Sequence, residues 1–412
     1  MPRSKQILSG GIRLSDCMSL SVLAEIIPLE TVKQILTRNQ KATIRERKLP
    51  REFLVYYIIA LAWFSGTNIR SVLRLLLDGL NLLFPFVNEK STERVAGEAA
   101  ISQAREKLGH QVMKDLFACI CKPVSSKKTR GAWYKKWRLV SIDGSNFDLP
   151  DEEELYQDFP KHNNGAEHPY PQLRFSALVE LGSRCIFAAA QGNQLTSEKK
   201  LSEQLFPSLT SEMLLIADRY YLGYDTFQKL SITGTFVLLR AKRNFTLPCL
   251  TELPDGSYLS ELAPPCDKRH LTERIPVRVI EFRLVANGKK SIESYRLVTN
   301  IMDCEQAPAQ DLAGLYSRRW GIETAFAEIK RSLKIDGMSF RSKRAELVKQ
   351  EFWGFLLAHY VLRCIMWRAA EKNDIDPGDI GFTDTVNVVR RKIGRHFSPH
   401  EKADDALHAR NH

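Results

Sequence analysis

The sequence lacks the spacing by which cysteines usually form a structural site. No CxxC pair with a matching histidine or cysteine cluster is present, which argues against a structural zinc. No secretory signal is present either, so we expect reduced, buried thiols in a cytoplasmic protein. The cysteines are scattered over the chain: Cys17, Cys119, Cys121, Cys185, Cys249, Cys266, Cys304 and Cys364.

Long hydrophobic runs and several common catalytic motifs are also missing. The apolar run at residues 54–64 is too short to cross a bilayer. The run at 352–367 carries His359 and Arg363, so it predicts a core helix and no membrane association. The P-loop, HExxH and GxSxG patterns are absent, which leaves an NTPase, a zincin and a serine hydrolase without support.

Acidic residues are in deficit. Lys and Arg outnumber Asp and Glu by 60 to 48, which gives a net charge of +12. An excess of this size indicates a polyanionic partner. The length of 412 residues predicts two or three domains, and the 44% hydrophobic content is that of a folded globular protein.

Residues 1–120 have helical periodicity throughout. Apolar residues recur at helical spacing in LETVKQILTRNQ, PREFLVYYIIALAWFSG, NIRSVLRLLLDGL and AISQAREKLGHQVMKDLFACI, with Gly, Pro or Asn between the segments. Short helices joined by tight turns, such as residues 64–68, fit a helix-turn-helix-like module, and a plain helical bundle is the alternative. We predict an all-α, DNA-binding N-terminal domain at 1–120.

A basic linker is predicted at residues 121–137. The stretch CKPVSSKKTRGAWYKKWR, at 121–138, holds seven basic residues and no acidic one, with Trp133, Tyr134 and Trp137 among them. Such a run is often a solvated linker. Aromatic residues among the basic ones favour phosphate contact combined with stacking on bases or sugars.

The pattern then changes to an α/β core at 138–240 and 294–345. Strand-like runs occupy 138–143, 173–181, 185–190, 212–218, 235–240 and 294–299, with helices at about 196–205 and 222–230. Residues 241–293 show short β runs and no convincing helix, which predicts a β-rich insertion. Residues 346–412 are expected to form a C-terminal helical segment, beginning with a long helix at about 345–372, and a tail.

Three carboxylates suggest a metal site. Asp143 and Asp218 each follow a strand run, and Glu323 lies on a late helix. Strand ends in open α/β folds meet at one edge of the sheet, where ligands bind. Carboxylates that meet there would repel one another unless cations neutralised them, and oxygen ligands select Mg²⁺ or Mn²⁺. Two such ions catalyse phosphoryl transfer.

Four polar residues share the helix that carries Glu323. At about 100° per residue, Tyr316, Arg319, Glu323 and Lys330 fall within about 60° of one another. A neighbouring apolar stripe would face a core: Leu315, Ile322, Phe326, Ile329 and Leu333. An Arg/Glu pair at this spacing is common on solvated helix faces, which is the plain alternative. Cations beside the carboxylates could instead hold DNA phosphates.

These motifs resemble those of the DDE transposases of the insertion sequence 4 family. YSRRWGIE followed by AEIK resembles that family's Tyr-Arg-Glu-Lys signature, SIDGSNFDLPD its first-Asp motif and LLIADRYYLGYDTFQKL its second. The resemblance extends over about residues 15–333, and the helical N-terminus is similar as well. It implies an RNase-H-like catalytic core with a β-rich insertion. Asp143, Asp218 and Glu323 would be catalytic metal ligands, and Tyr316, Arg319 and Lys330 would contact DNA phosphates.

Two features depart from the family pattern. Tyr220 stands where members commonly have a small glycine after Asp218-Arg219. The family stacks a flipped base on an aromatic residue in or near the insertion, but this insertion contains no Trp; its candidates are Phe245, Tyr258 and Phe282. Trp320 is a second stacking candidate or, equally, a buried aromatic residue.

The resemblance implies cut-and-paste transposition of an insertion sequence. Two Mg²⁺ ions, with Mn²⁺ as a possible substitute, would support end cleavage, closure of a hairpin and strand transfer. The partners would be double-stranded DNA, both inverted-repeat ends and target, and a second copy of the chain in a synaptic complex. We expect a nucleoid-associated protein in the cytoplasm of a prokaryote. The alternatives are a non-catalytic DNA-binding regulator derived from such an enzyme and a nuclease of the same fold.

Overall fold

The structure, a computed structural model, describes residues 20–42, 49–80, 97–161, 170–264, 273–285, 292–334, 337 and 339–395. The chain divides into two compact units. The helical unit comprises Met1–Lys122, Leu149–Asp158 and Ala327–His412, and the sheet unit comprises Pro123–Asp148 and Phe159–Phe326. The basic stretch from Pro123 onward therefore groups with the sheet unit.

The described α-helices follow one another in chain order. They are α1 (Leu20–Ile26), α2 (Leu29–Arg38), α3 (Arg51–Trp63), α4 (Ile69–Leu80), α5 (Glu98–Leu108), α6 (His110–Ile120), α7 (Glu153–Tyr156), α8 (Glu198–Glu203), α9 (Tyr224–Ile232), α10 (Ala309–Tyr316), α11 (Trp320–Ala327), α12 (Ala345–Asn373) and α13 (Phe382–Arg395). Short 3₁₀ turns occur at Phe206–Ser208, Ser317–Arg319 and Pro377–Asp379, and a π-helical segment occurs at Glu328–Leu333.

The described strands form one mixed sheet. They are β1 (Trp133–Tyr134), β2 (Trp137–Asp148), β3 (Gln172–Glu180), β4 (Ile186–Asn193), β5 (Met213–Ala217), β6 (Phe236–Arg240), β7 (Thr251–Glu252), β8 (Tyr258–Leu262), β9 (Ile275–Val285) and β10 (Ile292–Thr299). Their order is β4-β3-β2-β5-β6-β10-β9-β8-β7, and β1 pairs with β2. The pairs β2/β5 and β5/β6 are parallel and the others antiparallel. The strand runs predicted for the core are therefore confirmed.

Helix α3 lies at the centre of the helical unit. Each of its residues from Phe53 to Trp63 is buried, as expected for a helix that is apolar all round. It packs against α12, and the Trp63 indole N–H donates a 3.2 Å hydrogen bond to the carbonyl of Ala358. The core of this unit therefore joins residues from the two ends of the chain.

A buried ionic cluster lies in the same unit. Glu328, in the π-helical segment, accepts hydrogen bonds of 2.9 Å from Arg363 Nε and from His359 Nε2. His359 and Arg363 are fully buried on α12, which confirms the prediction of a core helix. Burial lowers the pKa of His359. For Glu328, burial alone would raise the pKa, but the positive charge of Arg363 and the hydrogen bond from His359 outweigh it, so the pKa is lowered.

The centre of the sheet is apolar on both faces. Alternate residues of β2 and β5 point to opposite sides, as strand geometry requires. Val140, Ile142, Leu215 and Ala217 join one buried cluster, and Leu139, Leu214 and Ile216 join the other. Acidic side chains of this region therefore follow the apolar part of the parallel pair, at Asp143 and Asp218.

The region predicted as a β-rich insertion extends the same sheet. Strands β7, β8 and β9 continue antiparallel beyond β10. Fully buried Arg278 on β9 is ion-paired to Asp255 Oδ2, which also accepts a 2.8 Å hydrogen bond from the amide of Ala309, the first residue of α10. The insertion is thus tied to the start of the helical segment that leads to Glu323.

The expectation that β2 ends at Asp143 is wrong. The parallel pairing with β5 stops at Ser141, but β2 continues to Asp148 because its antiparallel partner β3 continues beside it. Asp143 pairs with Ala177, and Gly144 with Ser176. The carboxylate therefore leaves the sheet where the parallel neighbour ends and not at the end of its own strand.

The expectation of one regular helix through Tyr316 and Lys330 is also wrong. Tyr316 ends α10, Arg319 lies in the 3₁₀ turn, Glu323 lies on α11, and Lys330 lies in the π-helical segment. The 3₁₀ turn has fewer residues per turn than an α-helix and the π-helical segment has more, so side-chain directions do not follow a constant α-helical angle. Of the predicted apolar stripe, Ile322, Phe326, Ile329 and Leu333 are buried.

Two further findings concern exposure and length. Among the described cysteines Cys121, Cys185 and Cys364 are buried free thiols, whereas Cys119 and Cys249 are exposed, which corrects the expectation of uniform burial. Within the described part of the chain, every helix is too short or too polar to cross a membrane.

Candidate functional site

Asp143 and Asp218 lie on neighbouring strands of the sheet. Asp143 is two residues beyond the last parallel pair, Ser141 with Ile216, and Asp218 directly follows β5. The two residues therefore leave the same edge of the parallel pair, which is the usual position of ligand sites in open α/β sheets. Asp218 Oδ1 accepts a 2.9 Å hydrogen bond from the amide of Tyr220, which fixes the turn after β5.

The carboxylates around Asp143 are close enough to perturb its ionisation. The pKa of Asp143 is raised to about 7, mainly by burial and in smaller part by the negative charges of Glu198 and Asp218. The amide of Gly144, 2.8 Å from Oδ1, and the guanidinium of Arg319 oppose this shift. The charged form of Asp143 is therefore disfavoured first by burial and then by the two neighbouring acids.

Arg319 links two of the predicted residues. Its Nη2 lies 2.8 Å from Glu323 Oε1, and its Nη1 lies 4.0 Å from Asp143 Oδ2. The Arg319 side chain is only 12% exposed, while that of Glu323 is 43% exposed. The spacing of four residues between Arg319 and Glu323 brings the pair together across the junction of the 3₁₀ turn and α11. Glu323 therefore joins Asp143 through a shared cation.

Tyr316 belongs to this group and Lys330 lies in the other unit. Burial raises the pKa of Tyr316 to about 12, and the charges that act on its phenol include Arg319, Arg240 and Asp218. The phenol therefore faces the cluster as a neutral hydrogen-bonding group at physiological pH. Lys330 lies in the π-helical segment, which belongs to the helical unit, whereas the cluster described here consists of residues from the sheet unit.

Glu198 is a fourth carboxylate, which sequence reasoning missed. It begins α8, and Ser197 caps this helix by accepting a hydrogen bond from the amide of Lys200. A Cβ added to Gly144 would lie 2.3 Å from Glu198 Cδ, so the carboxyl packs directly on the backbone next to Asp143. An acidic residue in the first turn of a helix is common, and nothing in the sequence distinguished this one.

A chain of buried hydroxyl groups connects Glu198 to the backbone of Asp143. The Tyr221 hydroxyl donates to Glu198 Oε1 at 3.0 Å, and Ser202 lies 3.0 Å from the same hydroxyl. Ser202 is 2.8 Å from Ser176 Oγ, which donates a 3.1 Å hydrogen bond to the carbonyl of Asp143. Such a network holds its members in one arrangement when each is satisfied. It thereby fixes the position of the β2 backbone at Asp143.

The carboxylate oxygens are suitable ligands for a hard divalent cation, but they do not form a complete coordination site. Among the residues that the structure describes, no group of three or more His, Cys, Asp or Glu side chains is arranged to hold a metal ion. Mg²⁺ commonly uses only one or two protein carboxylates and keeps several waters. Burial is the main cause of the raised pKa of Asp143, and a divalent cation beside this carboxyl would favour its charged form. The carboxylates therefore fit such an ion in donor type and in charge.

The aromatic residues proposed for base stacking differ in exposure. Trp137 is buried, and Phe245, Tyr258 and Phe282 pack against the two cores of the sheet unit. Trp320, in contrast, is 60% exposed, with the Arg319 guanidinium 4.6 Å from its ring centre, so it is not a core residue. An accessible aromatic face thus lies directly beside the residue that links Asp143 and Glu323.

Comparison with known proteins matches both parts of the chain. A family model described as the insertion element 4 transposase N-terminal region matches residues 17–118, and one described as the transposase DDE domain matches residues 135–361. Transposase InsG for insertion sequence element IS4, from Escherichia coli (strain K12), is 26% identical over 386 residues, which cover 91% of this chain and 83% of InsG.

Two weaker similarities accompany these matches. InsZ from the same Escherichia coli strain is 24% identical over 221 residues, which cover 52% of this chain and 69% of InsZ. Among solved structures, the piggyBac transposase in a synaptic complex with hairpin DNA aligns with 94% of this chain and 82% of that chain, at 10% identity and a TM-score of 0.45. Since the DDE-domain model alone spans more than half of the sequence, the chain belongs to the DDE transposases of the insertion sequence 4 family.

Proposed function

We propose that this transposase moves an insertion sequence by a cut-and-paste reaction, with end cleavage followed by strand transfer into target DNA. The observation that carries the proposal is the gathering of carboxylates at the parallel strands β2 and β5, with Arg319 between Asp143 and Glu323. The similarity to a transposase named for insertion sequence element IS4 over 91% of the chain supports the substrate class.

The proposed core is RNase-H-like. The antiparallel strands β4, β3 and β2, followed by the parallel strands β5 and β6, support this assignment. The described elements between residues 20 and 120 are helices, which supports an all-α N-terminal region that binds the inverted-repeat ends. The family resemblance further implies a homodimer in the synaptic complex and a nucleoid-associated protein in a prokaryotic cytoplasm.

In this proposal Asp143, Asp218 and Glu323 are the catalytic ligands of two Mg²⁺ ions, with Mn²⁺ as a substitute. When bound, the divalent ions activate the attacking oxygen and stabilise the leaving oxygen of a phosphoryl transfer. Asp143 would hold such an ion in its charged form, which burial otherwise disfavours, as its raised pKa indicates.

The cationic and phenolic residues of the signature would bind DNA. Arg319 provides a planar guanidinium, which suits bidentate contact with a phosphate. It would exchange part of its contact with Glu323 for the DNA backbone. Tyr316 would donate a hydrogen bond, because its raised pKa keeps the phenol protonated. Lys330 would add a further charge to the phosphate contacts near the cleaved end.

Charge removal at the three acids tests this assignment. Asp143→Asn, Asp218→Asn and Glu323→Gln keep side-chain size but remove the negative charge that holds a divalent ion. Each variant should abolish cleavage of a linear end fragment in Mg²⁺ while binding to the fragment stays within about twofold, because affinity rests mainly on basic contacts to phosphate. The three defects should be of similar size, because groups that act as a unit are not additive.

Matched controls and a plasmid assay complete the experiment. Asp225→Asn and Glu305→Gln remove exposed carboxylates of the same sheet unit and should cleave normally. Retained cleavage in one of the three test variants would remove that residue from the site, and retained cleavage in all three would reject the assignment. With a supercoiled plasmid, integration products identify a transposase, unspecific nicking a nuclease, and inert binding a regulator.

A further inference from the structure

A basic surface lies on the sheet unit beside the carboxylates. Strand β1 pairs with the start of β2 to form a hairpin, Tyr134 pairing with Trp137 and Lys135 at the turn having a positive φ of 52°. Residues 123–138 contain no acidic side chain. We use the name basic hairpin surface for Lys128, Arg130, Lys136 and Arg318, all of which are exposed.

The aromatic residues of this hairpin are already engaged by the protein. The Trp133 ring lies 3.2 Å from Lys127 Nζ and 4.4 Å from the Arg138 guanidinium, and its indole N–H donates a 2.7 Å hydrogen bond to the carbonyl of Ser126. The two cations belong to opposite ends of the hairpin segment. Trp133 therefore holds the segment together and does not offer a face for a nucleobase.

The other two aromatic residues contact each other, with their rings stacked at a centroid distance of 6.1 Å. The Tyr134 hydroxyl donates to Asp311 Oδ2 at 2.9 Å, and Trp137 is 1% exposed. The expectation that the aromatic residues of this stretch stack on bases or sugars is wrong for buried Trp137, and the contacts of Trp133 and Tyr134 lie within the protein. The basic hairpin surface instead offers positive charge alone, which binds phosphates without reading the base sequence.

Arg318 connects the hairpin to the catalytic residues. Gly131 has a φ of +72°, and a Cβ built on it would lie 2.7 Å from Nη1 of Arg318, so the guanidinium lies directly on the hairpin backbone. Arg318 shares the 3₁₀ turn with Arg319, which contacts Glu323 and approaches Asp143. The positive charges thus lead from the hairpin to the carboxylates within one unit.

We propose that the basic hairpin surface binds the phosphate backbone of the target DNA duplex, an inference that rests on the proposed transposase function. A transposon end has a fixed sequence and can be selected by side chains that read bases. Target DNA has variable sequence, so its binding must depend mainly on phosphates. A surface of charges with its aromatic residues occupied, placed beside the carboxylates, meets that requirement.

A triple substitution tests the proposal in the full-length protein. Lys128→Gln, Arg130→Gln and Arg318→Gln are combined, and strand transfer of pre-cleaved ends into a plasmid is compared with cleavage of uncut ends. Strand transfer should fall by about tenfold to a hundredfold near physiological salt, because each lost phosphate contact removes about 0.9 from the slope of log K against log salt. End binding and end cleavage should stay within about twofold.

The control removes the same charge elsewhere. Lys229→Gln, Lys343→Gln and Lys372→Gln affect exposed lysines of α9, of the segment before α12 and of α12, and should leave strand transfer unchanged. Thermal unfolding of both triple variants shows whether the fold is retained. If end binding or end cleavage falls as much as strand transfer in the test variant, the surface binds the transposon end. If strand transfer is unchanged, the surface does not bind DNA in this reaction. Either result overturns the proposal.

Direct binding keeps this inference separate from the proposed function. Affinity for a random-sequence duplex is measured against salt without any cleavage step. The test variant should show a slope smaller by about 2.7 than the wild type, which corresponds to three phosphate contacts. An unchanged slope would overturn the inference even if cleavage at Asp143 and its partners proceeds as proposed. Conversely, an inactive wild type would reject the proposed function while this measurement still reports on the surface.

Discussion

Gly144→Ala should disturb the site through one atom. The new Cβ would lie 2.3 Å from Cδ, 2.4 Å from Cγ and 2.6 Å from Oε2 of Glu198. These distances are far below the optimum for nonbonded carbon atoms, about 3.5–4.0 Å, so the glutamate must move. Its displacement would break the 3.0 Å hydrogen bond from the Tyr221 hydroxyl and loosen the backbone next to Asp143.

The loss of stability in Gly144→Ala depends on whether Glu198 stays in place or moves away. Overpacking in a well-ordered region typically costs about 1–3 kcal/mol. A flexible glutamate can swing away, which removes most of the clash but sacrifices hydrogen bonds of the charged kind, about 1.5–3 kcal/mol each. We therefore expect the free energy of unfolding to fall by about 1–3 kcal/mol, equivalent to a melting temperature lower by roughly 2–12 °C for a unit of about 200 residues.

A double-mutant cycle distinguishes this mechanism from general damage. In a Glu198→Ala background the clash partner is gone, so Gly144→Ala should cost at least about 1 kcal/mol less than it does in the wild type. Gly314→Ala, in α10, has open space around the added Cβ and should be neutral or slightly stabilising. Additive effects of Gly144→Ala and Glu198→Ala, or an undisturbed single variant, would refute the close packing of these two residues.

Three further predictions concern charge. Without divalent ions, Asp143→Asn should have a higher melting temperature than the wild type above pH 7, and the difference should fade towards pH 4. The reason is that a carboxyl whose pKa is raised to about 7 binds its proton more tightly in the folded state than in the unfolded state. The stability of the wild type therefore falls as the pH rises through this range. Arg319→Ala and Lys330→Ala should each impair cleavage or end joining but leave stabilisation by Mg²⁺ largely intact, and full transposition in either would return that residue to an ordinary helix surface. Glu328→Gln should lower the free energy of unfolding by about 3–5 kcal/mol in denaturant titrations, because Arg363 would keep a buried charge without its counter-ion; a loss below about 1 kcal/mol would contradict the ionic role.

The regular elements of the core were accessible from the sequence because each obeys a simple period. The strand run before Asp218 is a continuous apolar segment and the run before Asp143 is interrupted only by Ser141, as is typical of buried parallel strands. The length of α12 followed from its long apolar pattern. The exposure of Trp320 was left open by that pattern, because a residue at the margin of a stripe can face either side.

The details of the site depend on tertiary contacts, which hydrophobic periodicity in the sequence does not reveal. The 3₁₀ turn before Glu323 and the π-helical segment after it change the direction of side chains, and the buried contact of Glu328 with α12 lies far away in sequence. Glu198 reaches Asp143 through the bare backbone of Gly144, a close approach that only tertiary structure shows. Local spacing therefore found the chemistry of the site but not its geometry.

The burial of α3 has a consequence for synthesis of the protein. Its cover, α12, is translated only after the whole sheet unit, roughly 15–60 s later at 5–20 residues per second. During that interval α2, α4 and α5 can already contact α3, but the part of α3 that packs against α12 stays uncovered. A chain that stops before Ala345 never completes its helical unit. We expect truncated products to expose this apolar surface and therefore to be prone to aggregation or proteolysis.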